Sequence, residues 1–302
     1  MNWRRIIPGC LAFFLWVSGV CVTLGADADT LFGKVLCGYQ GWFRCEGDGT
    51  QNGWHHYAAA GKFEPGFSHI EMWPDVQELP PGERFQTPFT RADGKPAEVF
   101  SSARQPVVRL HFQWMRDHGI DGVFLQRFAA TLRDARFARP MDAVLGHCRD
   151  AARETGRAWA LMYDLSGTGA DGMDRVREDW KQLVRADAFH REKGVYLQHR
   201  GKPVVALWGI GFNDRAPLLE EWSRLIRFLR EDPECGGCAL LLGVPYHWRS
   251  LREDAIGDAR LHELLAQADI LSPWAVGRLA SAQDAAARVE TLLKPDQAWC
   301  RE

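Results

Sequence analysis

Two short segments of the sequence place carboxyl groups among apolar and aromatic residues. The first, MYDLSG at 162–167, has Asp164 where a strongly apolar run ends, and the second, HIEMWPD at 69–75, contains Glu71 and Asp75. Acid–base cleavage of a glycosidic bond usually requires two carboxyl groups, of which one protonates the leaving oxygen and the other acts as nucleophile or base. Asp164, Glu71 and Asp75 are therefore the candidate catalytic residues.

These three carboxylates also have ordinary structural interpretations. Asp164 has the position of a residue that braces a loop or caps a helix. Glu71 and Asp75 would lie ~13 Å apart in extended chain, which is too far for a catalytic pair unless the chain turns at Pro74. The sequence leaves both interpretations open.

Aromatic and hydrogen-bonding residues recur where apolar runs of the sequence end. Sugars present apolar C–H faces and many hydroxyl groups, so aromatic rings flanked by polar groups suit them as a binding surface. For any single tryptophan, core packing is an equally good interpretation, and it is the recurrence that favours a carbohydrate substrate. The candidate substrate contacts are Tyr39, Gln40, Trp42, Trp54, His55, Gln126, Arg127, Tyr163, Tyr246, His247, Trp248 and Trp274.

Patterns for other chemistry are weaker. His55, His56 and His69 fall in one segment, but the first apolar run lacks the H-x-H pattern of barrel metallohydrolases, so we expect no metal and no cofactor. No G-x-S-x-G elbow is present, and no G-x-G-x-x-G or P-loop pattern follows the first apolar run. Cys235 and Cys238 form an isolated C-x-x-C, which predicts a small disulfide or two free thiols.

Apolar, strand-like runs alternate with amphipathic, helix-like segments, as in a parallel α/β architecture. The predicted strands are 34–43, 122–128, 158–165, 203–210, 239–246 and 269–274, and the predicted helices are 105–118, 141–155, 171–186, 217–230 and 282–293. Between them, 44–102 is predicted to be a long functional loop region with one extended piece at 67–73. The first strand ends in aromatic residues, which favours a (β/α)8 TIM-type barrel with its cleft at the carboxyl ends of the strands.

The N-terminus and the overall charge limit where the protein acts and what it binds. Residues 1–28 have the layout of a signal peptide, with a short basic patch, an apolar run and an Ala-x-Ala-like site, so we expect a secreted or periplasmic protein whose single domain is 29–302. No stable membrane span is expected after cleavage. The formal net charge is −2 and the basic residues are dispersed, so no nucleic-acid partner is expected. The oligomeric state is not predicted.

Several of these segments together resemble the glycoside hydrolase family 71 and family 99 group, including bacterial proteins labelled xylosidase/arabinosidase. The matching segments are VLCGYQGWF (35–43), GDG (47–49), GWHH (53–56), EMWPDV (71–76), DGV (121–123), MYDLSG (162–167), GVPYHW (243–248) and SPWAVGR (272–278). The resemblance implies a barrel fold and a secreted protein that acts on poly- or oligosaccharides.

The resemblance also exposes a departure. Family 99 takes its catalytic carboxylates from an E-x-x-E segment on a late strand, whereas the E-x-x-E of this sequence, Glu231 to Glu234, follows a predicted helix. Six predicted strands fall short of eight, so we expect the barrel to be incomplete at its C-terminal side. Two alternatives to a glycosidase follow: a non-catalytic carbohydrate-binding barrel and, with less support, a metal-dependent hydrolase.

Overall fold

The computed structural model describes residues 28–186 and 194–301, so the predicted signal peptide lies outside the described residues except for Ala28. The strands are β1 Leu36–Tyr39, β2 Phe85–Thr90, β3 Pro96–Val99, β4 Gly122–Phe128, β5 Ala158–Asp164, β6 Gln198–His199, β7 Lys202–Trp208, β8 Ala239–Val244 and β9 Ile270–Pro273. The main sheet runs β1-β4-β5-β7-β8-β9, all parallel, with β6 antiparallel to β7. The predicted parallel α/β architecture is confirmed.

Helices connect the parallel strands and pack on one face of the sheet. They are α1 Gln105–Asp117, α2 Ala135–Thr155, α3 Ala170–Arg185, α4 Leu219–Glu231, α5 Arg260–Leu265, α6 Ala282–Arg288 and α7 Lys294–Trp299. Helix α2 is capped at its N-terminus by Asp134, whose side chain accepts a hydrogen bond from Arg136 N, and at its C-terminus by the left-handed Gly156. Its start is thus earlier than the apolar pattern predicted.

The two faces of the main sheet differ in character, because alternate residues of a strand point to opposite sides. The helix-facing side carries large apolar residues such as Trp159 and Leu161, both fully buried. The opposite, inner side carries residues of mixed size, from Gly122 beside Ala158 to Gln126 beside Met162. The sheet curls around this inner face as a half-barrel, consistent with an incomplete TIM-type barrel.

Residues 43–102, which we call the lobe, differ from the expected loop region. The extended piece predicted at 67–73 forms no strand, and Phe67 and Ser68 make isolated bridges only. The lobe hairpin is instead β2–β3, whose strands alternate buried and exposed residues around a turn at Gly94 (φ 80°). That alternation and the glycine turn are the sequence signals for a hairpin.

The hydrophobic residues form one large core and smaller clusters. The main core lies between the sheet and its helices, whereas Cys45, Tyr57, Phe63 and Val99 form a separate small core inside the lobe. No helix within residues 28–186 or 194–301 has the length and apolar character needed to cross a membrane.

Candidate functional site

A pocket of about 250 Å³ opens where β1, β4 and β5 end and the lobe meets α2. Trp42 follows β1, Phe128 ends β4, and Ser166 lies just after β5. Its lining residues are Trp42, Arg44, Asn52, His55, His56, Phe128, Ala130, Thr131, Phe137, Met141 and Ser166. The carboxyl ends of parallel strands are where barrel proteins bind their ligands.

Stacked rings form much of the pocket wall. Trp42 stacks on His56 with ring centroids 4.7 Å apart and contacts Phe128 at 4.7 Å, and His55 contacts Phe137 at 5.1 Å. Burial, with the neighbouring charges of His55 and Arg44, lowers the pKa of His56 to about 4. A neutral imidazole offers one donor and one acceptor, so His56 suits recognition of a hydroxyl group near pH 7.

The lobe segment that carries these histidines is braced by a buried carboxylate. Asp48 accepts hydrogen bonds from the backbone N–H groups of Cys45 (3.0 Å) and Thr50 (2.8 Å). It also accepts bonds from the hydroxyls of Thr50 (2.7 Å) and Ser101 (2.6 Å). Burial alone would raise the pKa of Asp48, but these hydrogen bonds outweigh it and lower the pKa. Asp48 is therefore a structural residue that fixes the entrance of the lobe.

Arg44 and Asn52 contribute the remaining strongly polar groups of the pocket. Arg44 is 2% exposed, and its Nη1 donates to the carbonyl oxygens of Gly41 (3.0 Å) and Phe43 (2.8 Å). Burial lowers its pKa to about 10 against the opposing effect of Asp48. Asn52 Nδ2 donates to Arg136 O at 3.2 Å, while its buried Oδ1 has no hydrogen-bond partner among the described residues.

Asp164 lies at the end of β5 on the inner face of the sheet. The register places it beside Phe128 and Trp208, and its Oδ1 accepts a 2.9 Å hydrogen bond from Ser166 N. This bond braces the turn, as one sequence interpretation expected. Gln126 shares the inner face, and its buried Oε1 accepts no hydrogen bond from the part of the chain that the structure describes. Asp164 thus lies two residues from the pocket wall, close to a polar strip of the inner face.

Other candidate residues at strand ends face the helices. Tyr39 Oη lies 2.9 Å from Nδ1 of His111 on α1. Arg127 and Tyr163 both contact Asp179 on α3, with Nε–Oδ2 at 2.8 Å and Oη–Oδ2 at 2.7 Å. These three side chains point away from the pocket, whereas Gln40 is exposed beside β1.

The candidates after β8 and β9 form a second cluster. His247 Nδ1 lies 3.0 Å from Asp254 Oδ1, and Arg278 Nη2 donates to Asp254 Oδ2 at 2.7 Å. The remaining three aromatic candidates differ in exposure: Tyr246 and Trp248 are buried, whereas Trp274 is exposed and contacts Trp208 at 5.0 Å. Through its contact with Trp208, which lies beside Asp164 in the sheet, Trp274 extends the inner face.

The two lobe carboxylates do not line the pocket. Glu71 and Asp75 are exposed, and Asp75 Oδ1 accepts a bond from Gln77 N at 2.9 Å. Trp54 packs inside the lobe against Phe63 at 5.2 Å. Among the candidates, the pocket therefore brings together Trp42 and His55, and Asp164 lies two residues before the lining residue Ser166.

Sequence reasoning missed most of the polar pocket residues. Arg44 lies two residues after the candidate Trp42, and His56, which the sequence suggested only as a possible metal ligand, follows His55 directly. The candidates predicted from the sequence therefore lie close in the chain to pocket residues that were not predicted. Within residues 28–186 and 194–301, no three His, Cys, Asp or Glu side chains gather as metal ligands.

The turn from β5 into α3 reads GTGADG at 167–172, a G-x-G-x-x-G pattern in a strand–turn–helix context. A Cβ on Gly172 would lie 1.6 Å from Thr168 Cγ2, so this glycine is required for packing. The next strand of the sheet, β7, ends at Trp208 without the acidic residue that binds a dinucleotide ribose. The pattern therefore serves the tight turn beside Ser166.

A curled parallel sheet with helices outside and a pocket at its strand ends defines an α/β protein with a barrel-type fold. A structure of the family 99 endo-α-mannosidase from Bacteroides thetaiotaomicron is similar, with a TM-score of 0.50, 14% identity, and coverage of 87% of this chain and 68% of that one. Another, in complex with bis-tris-propane, has a TM-score of 0.49 at 14% identity, covering 87% and 66%.

This chain spans about two thirds of the length of those structures. The sequence matches no protein-family model and no curated protein. At 14% identity, the similarity establishes the fold alone.

Proposed function

We propose that this protein is a glycoside hydrolase that acts on poly- or oligosaccharides at the pocket formed by β1, β4, β5 and the lobe. The observation that carries the proposal is a ring-lined pocket at the carboxyl ends of parallel strands in a glycosidase-like fold. Trp42 and Phe128 offer apolar surface for the face of a sugar ring, and His55 and His56 offer hydrogen bonds to its hydroxyls.

Asp164 is the proposed first catalytic carboxylate. It lies beside the pocket through Ser166 and shares the inner face with Gln126 and Trp208. Its role is to transfer a proton to the glycosidic oxygen, or to take one from the attacking water. Glu71 and Asp75 are the proposed sources of the second carboxylate, and their exposure on the lobe leaves them free to meet a bound chain.

Asp164→Asn tests the catalytic proposal. Because amide and carboxyl have nearly the same shape, the variant should fold normally and lose general acid–base catalysis, typically a 10²- to 10⁴-fold effect. Hydrolysis of a glycan panel, followed by chromatography of the products, measures this. Asp117→Asn is the matched control, because Asp117 is exposed at the end of α1. Unchanged turnover by Asp164→Asn would remove Asp164 from the mechanism.

A non-catalytic carbohydrate-binding protein is the second candidate function. It is favoured by the pocket lining, which contains no carboxylate among the described residues. Calorimetric binding of oligosaccharides without any product after long incubation would support binding alone. Product formation that depends on Asp164 would exclude it.

We also propose that the protein acts after export, from the signal-peptide layout of residues 1–28. N-terminal sequencing of the protein recovered from the medium or periplasm should find Asp29 first. Recovery of the intact N-terminus in the cytoplasm would contradict export.

A further inference from the structure

The charged group that lines the pocket is a cation. Arg44 contributes a guanidinium, His55 and His56 have lowered pKa values, and the other lining residues are neutral. Within the described part of the chain, Arg44 makes no ion pair and no carboxylate reaches the lining. A buried charge without a partner is costly, and a ligand of opposite charge offsets that cost.

No acid among the described residues forms an ion pair with Arg44. Asp48 attracts Arg44 electrostatically, but its carboxylate is held by four hydrogen bonds from neutral donors. Arg136 approaches the pocket through its backbone oxygen, while its side chain pairs with Asp134 at 2.7 Å. Asp164 is tied to the turn by Ser166 N. Arg44 therefore brings a positive charge to the pocket without an ion-pair partner among the described residues.

The guanidinium has unused donors. Its protein hydrogen bonds both come from Nη1, which leaves Nε and Nη2 for a ligand. Asn52 Oδ1 adds a buried acceptor without a partner, which matches the donor of a sugar hydroxyl. The rings of Trp42 and Phe128 supply the apolar wall.

We propose that the pocket binds an acidic saccharide, with the anionic substituent of one sugar unit at Arg44 and a hydroxyl of that unit at Asn52 Oδ1. This proposal rests on the proposed carbohydrate function and specifies its substrate class. The cavity of about 250 Å³ is below the ~300–1,000 Å³ typical of drug-sized ligands, which suits one sugar unit. A uronic acid, with its carboxylate on the ring, has the chemistry that fits.

The test compares saccharides that differ in one substituent. The probes are a uronic-acid oligosaccharide, its methyl ester, which removes the charge, and a sulfated oligosaccharide with a neutral backbone. Calorimetry on the wild-type protein should give affinity for the uronide roughly ten- to a hundredfold above that for the ester, as expected for a charge-assisted hydrogen bond. Raising the salt concentration should narrow the difference.

Two variants, Asn52→Asp and Arg44→Gln, change the charge of the pocket. Asn52→Asp adds a negative charge at constant shape, so it should weaken binding of the uronide and spare the ester. Arg44→Gln should abolish the preference between the two. Arg136→Gln is the control, because its side chain lies outside the pocket lining and its backbone contact to Asn52 is retained. Circular dichroism and the melting temperature identify any variant that fails to fold.

The outcomes distinguish this inference from the proposed function. Equal wild-type affinity for uronide and ester overturns the acidic-saccharide inference and leaves carbohydrate binding intact. Binding of none of the three probes overturns the acidic-saccharide inference, whereas the proposed function fails only if the glycan panel also gives neither binding nor products. A preference for the sulfated probe that Arg44→Gln removes supports an anionic ligand and assigns its charge to a sulfate ester.

Discussion

At the scale of single residues, the buried guanidinium of Arg127 is held by two carboxylates, those of Asp179 and Asp142. Arg127 donates Nε and Nη2 to the two carboxylate oxygens of Asp179 (2.8 and 2.6 Å) and Nη2 to Asp142 (2.7 Å). Burial alone would lower the pKa of Arg127, but the hydrogen bond and charge of Asp179 outweigh it and raise the pKa. Tyr163 donates to the same carboxylate. The network joins β4 and β5 to α3 behind the pocket.

We expect Asp179→Asn to destabilise the protein by about 3 kcal/mol, because it leaves a buried guanidinium without its main counter-charge. Asp142→Asn removes the other partner, whose side chain is 57% exposed, and should cost less than about 1 kcal/mol. Urea unfolding monitored by tryptophan fluorescence gives both values. Equal losses would show that the two carboxylates share the charge of Arg127 evenly.

At the scale of elements, the close approach of β4 and β5 depends on one glycine. A Cβ on Gly122 would lie 2.1 Å from Ala158 O, so a larger residue must push the two strands apart. Overpacking of this kind typically costs 1–3 kcal/mol. Because β4 and β5 carry Phe128 and Asp164 at their other ends, their spacing also sets the base of the pocket.

Gly122→Ala should therefore lower the free energy of unfolding by about 1–3 kcal/mol and weaken saccharide binding. Gly146→Ala is the matched control in α2, where a Cβ would meet nothing within 4 Å. It should stabilise the protein by about 0.5–1 kcal/mol, since alanine is the better helix former. Chemical denaturation of both variants measures the contrast, and a neutral Gly122→Ala would mean that the strands accommodate the methyl group freely.

The elements also show how far the sequence could predict this structure. Apolar runs located β4, β5, β7, β8 and β9 within two residues or so, because strands buried on both faces are apolar throughout. That same uniformity conceals which residues face inward, so Tyr39, Arg127 and Tyr163 could not be separated from Gln126 and Asp164. In the lobe, residues 67–73 have a strand-like composition but pair with no strand. The segments β2 and β3, which alternate buried and exposed residues, pair with each other.

At the scale of the whole molecule, the main core and the lobe core differ greatly in size. The main core fills the space between sheet and helices, whereas the lobe core consists of Cys45, Tyr57, Phe63 and Val99 with partly buried neighbours. Contacts such as Trp42 with His56 and His55 with Phe137 connect the lobe to the segment after β1 and to α2. A small core with few buried apolar contacts opens at lower free energy than a large one.

Amide hydrogen exchange should therefore be faster in the lobe than in the main sheet. Within the lobe, the N–H of Ala58, bonded to Trp54 O at 2.8 Å, and that of His69, bonded to Tyr57 O at 2.9 Å, should exchange well before the amides of β5 and β7. A bound saccharide would contact Asn52, His55 and His56, and so should slow exchange in the lobe more than in the sheet. If lobe and sheet amides exchange with one common free energy, the two cores unfold together, and the ligand should then protect both equally.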